Sequence, residues 1–102
     1  MLFDRKHKTT EPPTGAPPDV THHRNRLAGM WAAELLGLIG QAAHDYAREL
    51  AHAHEHTPDD ERVVTKLAQD LHGKVTAQEI RSKLGHFLHE ARRQLLDHKD
   101  KG

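Results

Sequence analysis

The chain has no cysteine, no surplus of either charge and no long apolar run. Without cysteine there is no disulfide framework, thiolate metal site or cysteine nucleophile. Fifteen basic and fifteen acidic residues cancel when the eleven histidines are counted as neutral, so no overall field steers the chain toward nucleic acid or acidic lipid. Every apolar run is far shorter than the ~20 residues of a membrane-spanning helix, and MLFDRKHKTTEPP lacks a secretory apolar core. We therefore expect a cytoplasmic protein.

Signatures of catalysis are also missing. No glycine-rich phosphate loop follows a strand, and the single serine, Ser82, falls inside a predicted helix rather than at a nucleophile elbow. Most carboxylates fall at helix starts or on polar faces, where capping and solvation explain them. We expect neither an enzyme nor a bound cofactor.

Proline is concentrated in one place near the N-terminus. Residues 9–19, TTEPPTGAPPD, contain four of the five prolines. Proline fixes φ and removes an amide donor, so this stretch predicts an extended, flexible N-terminal arm over residues 1–20. Thr21 is the predicted N-cap of the first helix, because its hydroxyl can accept from a first-turn amide.

The next two segments have helical periodicity and are separated by glycines. The first helix is expected to run to about Leu38, where Gly37 and Gly40 offer left-handed positions that end it. The second is expected over residues 41–55.

Two further helices have their own start signals. In TPDDE, Thr57 can cap a third helix and Pro58 suits its first position. Gly73 is predicted to end this helix. The fourth helix opens with the capping box TAQE, in which Thr76 and Glu79 satisfy each other's amides.

No stretch alternates as a strand does, so four amphipathic helices with short loops predict an all-α, antiparallel four-helix bundle over residues 21–98, followed by a charged tail at 99–102. The apolar positions expected to be buried are Leu27, Trp31, Leu35 and Leu38; Ala42, Ala43, Tyr46, Leu50 and Ala53; Val63, Val64, Leu67 and Leu71; and Ile80, Leu84, Phe87, Leu88, Ala91 and Leu95.

Glu34 interrupts the apolar stripe of the first helix. One interpretation pairs it with a basic group from another helix at the edge of the core, because an unpaired buried carboxylate is costly. The other places Glu34 with Trp31, the only tryptophan, in a patch that faces a partner protein. General burial preferences favour the first interpretation.

The histidines raise the question of a metal site. His52 and His56 are one helical turn apart and Glu49 shares their face, a spacing that suits zinc or nickel. No fourth ligand is specified, so solvated surface histidines are the favoured interpretation, and the same holds for His86 and His89.

A helix-turn-helix is the remaining alternative, over residues 64–84. Its second helix carries Arg81 and Lys83, but it opens with Glu79, where a phosphate contact would need a donor. Because the chain has no net charge, it also lacks the electrostatic attraction to phosphates that contributes to nucleic-acid binding. We therefore expect no nucleic-acid partner.

Four segments, RNRLAGMWAAELLGL, AHDYAREL, ERVVTKLAQDL and TAQEIRSKLGHFLHEARRQLLD, resemble the alphaproteobacterial zeta-type inhibitor of the F-type ATP synthase over about residues 22–97. The most specific match is the pattern basic-Asn-x-Leu followed by Trp-Ala-Ala-Glu, here Arg24, Asn25, Leu27, Trp31 and Glu34. The resemblance implies a four-helix regulatory protein that binds the alpha, beta and gamma subunits of the catalytic head and blocks ATP hydrolysis. We expect the protein to be a monomer. It would then lie at the inner membrane through the synthase.

The N-terminal arm departs from that family. Its inhibitory element precedes the tryptophan helix and opens with Phe-Asp-Asp-Arg-Glu, of which only Phe3, Asp4 and Arg5 have counterparts here. The continuation is replaced by PPTGAPP, which cannot form a continuous helix. We therefore expect synthase binding with weak or absent inhibition; the alternative is a helical interaction domain that kept the fold and lost the synthase.

Overall fold

Four α-helices make up the part of the chain that the structure, a computed structural model, describes: residues 18–53 and 60–101, with side chains at 19–52 and 60–96. The helices are α1 (Pro18–Leu35), α2 (Gly40–Ala53), α3 (Glu61–Asp70) and α4 (Ala77–Lys101). No strand occurs within these ranges. The predicted all-α four-helix bundle is confirmed.

The first helix begins at Pro18, and the prediction that Thr21 is its N-cap is wrong. Proline is well suited to the first helical position, because the amide it lacks would have had no helical partner there. The carboxylate of Asp19 complements the helix dipole, and its Oδ1 accepts from the Val20 amide at 2.9 Å. Thr21 is therefore inside the helix, where it is buried.

Gly37 ends α1, as predicted, although the last helical residue is Leu35 and not Leu38. Gly37 has a φ of 80°, which glycine adopts without a Cβ penalty. The Gly37 amide donates to the Glu34 carbonyl at 3.1 Å, and the Leu38 amide donates to the Ala33 carbonyl at 2.9 Å. This pair of bonds is a Schellman motif, which satisfies carbonyls that the helix end leaves open.

The start of α4 is the predicted capping box. The Thr76 hydroxyl accepts from the Glu79 amide at 3.1 Å, and the Glu79 carboxylate accepts from the Thr76 amide at 2.8 Å. The predicted start of α3 at Thr57 and Pro58 lies outside the described residues. In the described part, α3 begins at Glu61, after Asp60.

The helices pack around α1, which lies against both α2 and α4, while α3 packs on α4. The main core cluster consists of Ala28, Ala32, Leu50, Val63, Val64, Leu67, Leu71, Ile80 and Leu84. A smaller cluster joins Val20 of α1 to Ala91 of α4, with Leu27, Leu88 and Leu95 partly buried against it.

The buried face of α1 differs from the predicted stripe. Ala28 and Ala32 are fully buried, whereas Leu35 is 37% exposed and Trp31 lies at the edge of the core. The reason is close packing: a Cβ on Gly29 would lie 2.6 Å from the Cα of Ala47 in α2. Only small residues fit between two helices that lie this close together. The large side chains Trp31 and Leu35 of α1 therefore lie at the edge of its buried face.

The same close approach changes the buried face of α2. Ala47 and Ala51, which the pattern did not select, are fully buried, and the predicted Ala42 is exposed. The predicted Ala43 and Leu50 are buried. The predicted face of α3, Val63, Val64, Leu67 and Leu71, is buried throughout.

Candidate partner-binding groove

An open groove of about 570 Å³ lies between α1 and α4, next to the loop that joins α1 to α2. We call it the Trp31 groove. Its larger apolar side chains are Leu27, Met30, Trp31, Leu38, Ile39 and Phe87. Its ionisable side chains are Glu34 on α1 and Lys83 and His86 on α4.

Two aromatic rings and a lysine form the α1–α4 side of the groove. The Trp31 and Phe87 ring centroids are 6.2 Å apart, and the rings are tilted by 55°. The Lys83 ammonium lies 5.8 Å from the Trp31 centroid and 5.9 Å from that of Phe87. Each such cation–π contact contributes roughly 0.5–1 kcal/mol at an exposed site. These contacts favour one arrangement of the three side chains.

Ile39 is the most exposed large apolar residue of the described chain, with 83% of its surface accessible. It occupies the loop between Gly37 and Gly40, where it extends the apolar surface of the groove. Contiguous exposed apolar surface with a tryptophan and a polar rim is typical of a protein interaction site. Helical periodicity could not select Ile39, because it lies outside every helix; a large β-branched residue in so short a loop was the available signal.

Glu34 lies at the rim of this groove. Its side chain is exposed, and it forms no ion pair or hydrogen bond with any side chain at 19–52 or 60–96. The interpretation that pairs Glu34 with a basic group at the edge of the core rested on the cost of removing a carboxylate from water. Because Glu34 is exposed, that cost does not arise. Its position beside Trp31 favours the interpretation as part of a partner-facing patch.

Arg24 and Asn25, from the same sequence pattern, are buried instead. Arg24 is 1% exposed; its Nε and Nη2 donate to the Asn25 Oδ1 at 3.0 and 2.7 Å, and its Nη1 donates to the Asp60 Oδ2 at 3.0 Å. This network joins α1 to the beginning of α3. The two residues thus support the fold, a role that sequence reasoning missed although they fall about one turn before the buried Ala28 and two turns before the buried Ala32.

A second polar contact joins α2 to α3. The Tyr46 hydroxyl donates to the Asp70 Oδ2 at 2.7 Å, and Lys66 Nζ lies 2.9 Å from the same oxygen. Burial, and then the hydrogen bond to the carboxylate, raises the pKa of Tyr46. Burial opposes ionisation of Asp70, but the hydrogen bonds from Tyr46 and Lys66 outweigh it and lower its pKa.

The remaining predicted site residues either lie outside the described part of the chain or lie on α2 away from the groove lining. Phe3, Asp4, Arg5 and His56 lie outside the described residues. Glu49 and His52 are exposed on α2, and the His52 ring is edge-on to His22 with centroids 6.3 Å apart. Among the described residues, no three His, Cys, Asp or Glu side chains are grouped as a metal site requires.

The fold defines a small four-helix bundle, and the Trp31 groove gives this bundle an open, largely apolar surface with ionisable side chains at its rim. Within residues 18–53 and 60–101, none of the helices has the length and apolar character needed to cross a bilayer. The chain belongs to the ATPase inhibitor subunit zeta family, whose sequence model matches residues 19–94. The resemblance seen in the sequence is thereby confirmed. Neither the curated proteins nor the solved structures compared with the chain gave a match.

Proposed function

We propose that this protein is a zeta-type regulator that binds the catalytic head of the F-type ATP synthase through its bundle. The observation that carries the proposal is the family match over residues 19–94, which spans α1, α2, α3 and most of α4. The proposed partners are the alpha, beta and gamma subunits, and the protein would be held at the inner membrane through them.

The Trp31 groove is the proposed contact surface. Tryptophan in a partly formed apolar pocket is a frequent binding hot spot, because it buries a large area at little conformational cost. The exposed Ile39 continues the apolar surface, and Glu34 and Lys83 supply rim charges that would fix the orientation of a partner.

We further propose that inhibition of ATP hydrolysis is weak or absent. Blocking a rotary interface requires a stiff element, because ordering a loose one on binding costs conformational entropy. Pro12, Pro13 and Pro17 prevent a continuous helix between Phe3–Arg5 and α1. The family match also begins only at residue 19, after this segment.

Co-purification tests the binding proposal. Tagged full-length protein is expected to recover the alpha and beta subunits from source membranes. Their repeated absence would instead support the alternative, a helical interaction domain that has kept the fold and lost the synthase.

A hydrolysis assay on the purified catalytic head tests the inhibition proposal. The native chain is compared with a chimera in which residues 1–20 are replaced by the helical arm of a typical family member. We expect only the chimera to inhibit. Equal inhibition by both proteins would locate inhibition in the bundle and refute the argument from the arm.

A further inference from the structure

Two opposite charges at the rim of the Trp31 groove, Glu34 and Lys83, have no oppositely charged partner in the described part of the chain. Lys83 contacts the faces of Trp31 and Phe87 but no carboxylate, and Glu34 contacts no cation, among the side chains at 19–52 and 60–96. The groove therefore offers an aromatic wall with one anionic and one cationic position, one on each flanking helix.

Residues 2–5 of the same chain, Leu-Phe-Asp-Arg, have the complementary chemistry. Phe3 is the only Phe, Tyr or Trp outside the described residues, and an aromatic ring suits the Trp31–Phe87 wall. Its neighbour Asp4 carries a negative charge, which complements Lys83, and Arg5 carries a positive charge, which complements Glu34. Two apolar residues next to one acid and one base are a closer match to this groove than the histidine, lysine and threonine residues that follow.

The length of the connecting segment allows the contact within one molecule. Trp31 is thirteen positions after Pro18 on α1, which is about 20 Å along the helix axis at 1.5 Å per residue. Residues 6–17 would span about 20 Å as a random coil and nearly twice that distance as polyproline II. A tether whose mean length is close to the required span gives the largest effective concentration.

We infer that the Trp31 groove binds residues 2–5 of its own chain, with Phe3 against the aromatic wall, Asp4 near Lys83 and Arg5 near Glu34. The contact covers the groove in the free protein. A partner that uses this surface must displace the segment, so the arm lowers the affinity of the bundle for that partner. Only this last consequence rests on the proposed function, because the contact itself needs no synthase.

The fluorescence of Trp31, the only tryptophan, reports on the contact in the isolated full-length protein. Phe3→Ala is expected to shift the emission to the red and to increase quenching by acrylamide, because the indole becomes more accessible to water. His7→Ala, a substitution in the same arm outside the binding segment, serves as the matched control and should leave both quantities unchanged. Identical emission and quenching for Phe3→Ala and the native chain would overturn the inference.

A spin label distinguishes the chain's own segment from other occupants. Since the chain has no cysteine, Lys8→Cys provides a single attachment site for a nitroxide. The label is expected to broaden the Trp31 indole N–H resonance at every protein concentration, and the charge reversal Asp4→Lys/Arg5→Glu should remove most of this broadening. Broadening lost on dilution would indicate a second copy in the groove. That result would refute the intramolecular contact, as would an absence of broadening or broadening that survives the charge reversal. No synthase is present, so failure here leaves the proposed function untouched.

Discussion

The two halves of the RNRLAGMWAAE segment lie in opposite surroundings on one helix. Arg24 and Asn25 are buried inside the bundle, where Arg24 donates hydrogen bonds both to the Asn25 Oδ1 and to Asp60. Two turns later, Trp31 and Glu34 line an open groove. The difference indicates that one sequence pattern serves two purposes: its first half joins helices, and its second half lines the groove that we propose as a binding surface. Substitutions in the two halves should therefore affect different measured quantities.

The largest effect on stability is expected in the buried half. Arg24→Ala removes the charge that pairs with Asp60 and leaves the Asn25 carbonyl oxygen without its donors. We expect a loss of about 3 kcal/mol in the free energy of unfolding, at the lower end of the range for breaking a buried pair, because Asp60 keeps partial contact with water.

Urea unfolding measures this loss. The matched control is Arg48→Ala, which breaks the exposed Arg48–Asp45 pair and should cost under about 1 kcal/mol. Equal losses for the two variants would show that the buried network does not hold α1 to α3.

The α1–α2 contact should be the next most sensitive. In Gly29→Ala the new methyl group would lie 2.6 Å from the Ala47 Cα, so the two helices must move apart. We expect overpacking to lower the free energy of unfolding by about 1–3 kcal/mol, even though alanine has a higher helix propensity than glycine.

Gly85→Ala in α4 is the control for Gly29→Ala, because a Cβ at position 85 meets no atom within 4 Å. That variant should gain up to about 1 kcal/mol from helix propensity. Thermal unfolding of both proteins gives the sign of each change, and stabilisation by Gly29→Ala would contradict the close packing of α1 on α2.

A smaller effect, with a defined pH dependence, is expected at the α2–α3 contact. Tyr46→Phe removes one hydrogen bond to Asp70, which keeps Lys66, and should cost about 1 kcal/mol at neutral pH. Burial and the Asp70 hydrogen bond raise the folded-state pKa of Tyr46 above the usual value near 10. The stabilisation from Tyr46 is thus complete below about pH 10 and is lost as the pH rises toward the folded-state pKa.

The difference in unfolding free energy between native protein and Tyr46→Phe should accordingly shrink above about pH 10. Chemical unfolding of both proteins across that range measures it. A difference that stayed constant would mean that the tyrosine hydroxyl is not held as a proton donor in the folded state.

Local signals in the sequence were sufficient for two of the helix ends, although the predicted N-cap at Thr21 was wrong. The Thr76–Glu79 capping box and the left-handed Gly37 depend on a few adjacent residues, and both form as predicted. The buried face of α1 could not be predicted in this way, because it is set by two neighbouring helices, and the approach of Ala47 to Gly29 favours small residues over large ones. The exposure of the loop residue Ile39 could not be predicted for a related reason, because it depends on how the loop lies beside Trp31.

The most direct test of the account is the affinity of the purified synthase head for a matched pair of surface variants. Ile39→Asp places a charge on the groove, whereas Leu96→Asp places the same charge on α4 at another apolar residue, 60% exposed and not part of the groove lining. Both should fold with native stability, because surface substitutions are usually within about 0.5 kcal/mol. We predict that Ile39→Asp weakens binding by more than about tenfold, the loss expected for a hot-spot position, while Leu96→Asp binds as the native chain does. Native affinity for Ile39→Asp would contradict the assignment of the Trp31 groove as the binding surface.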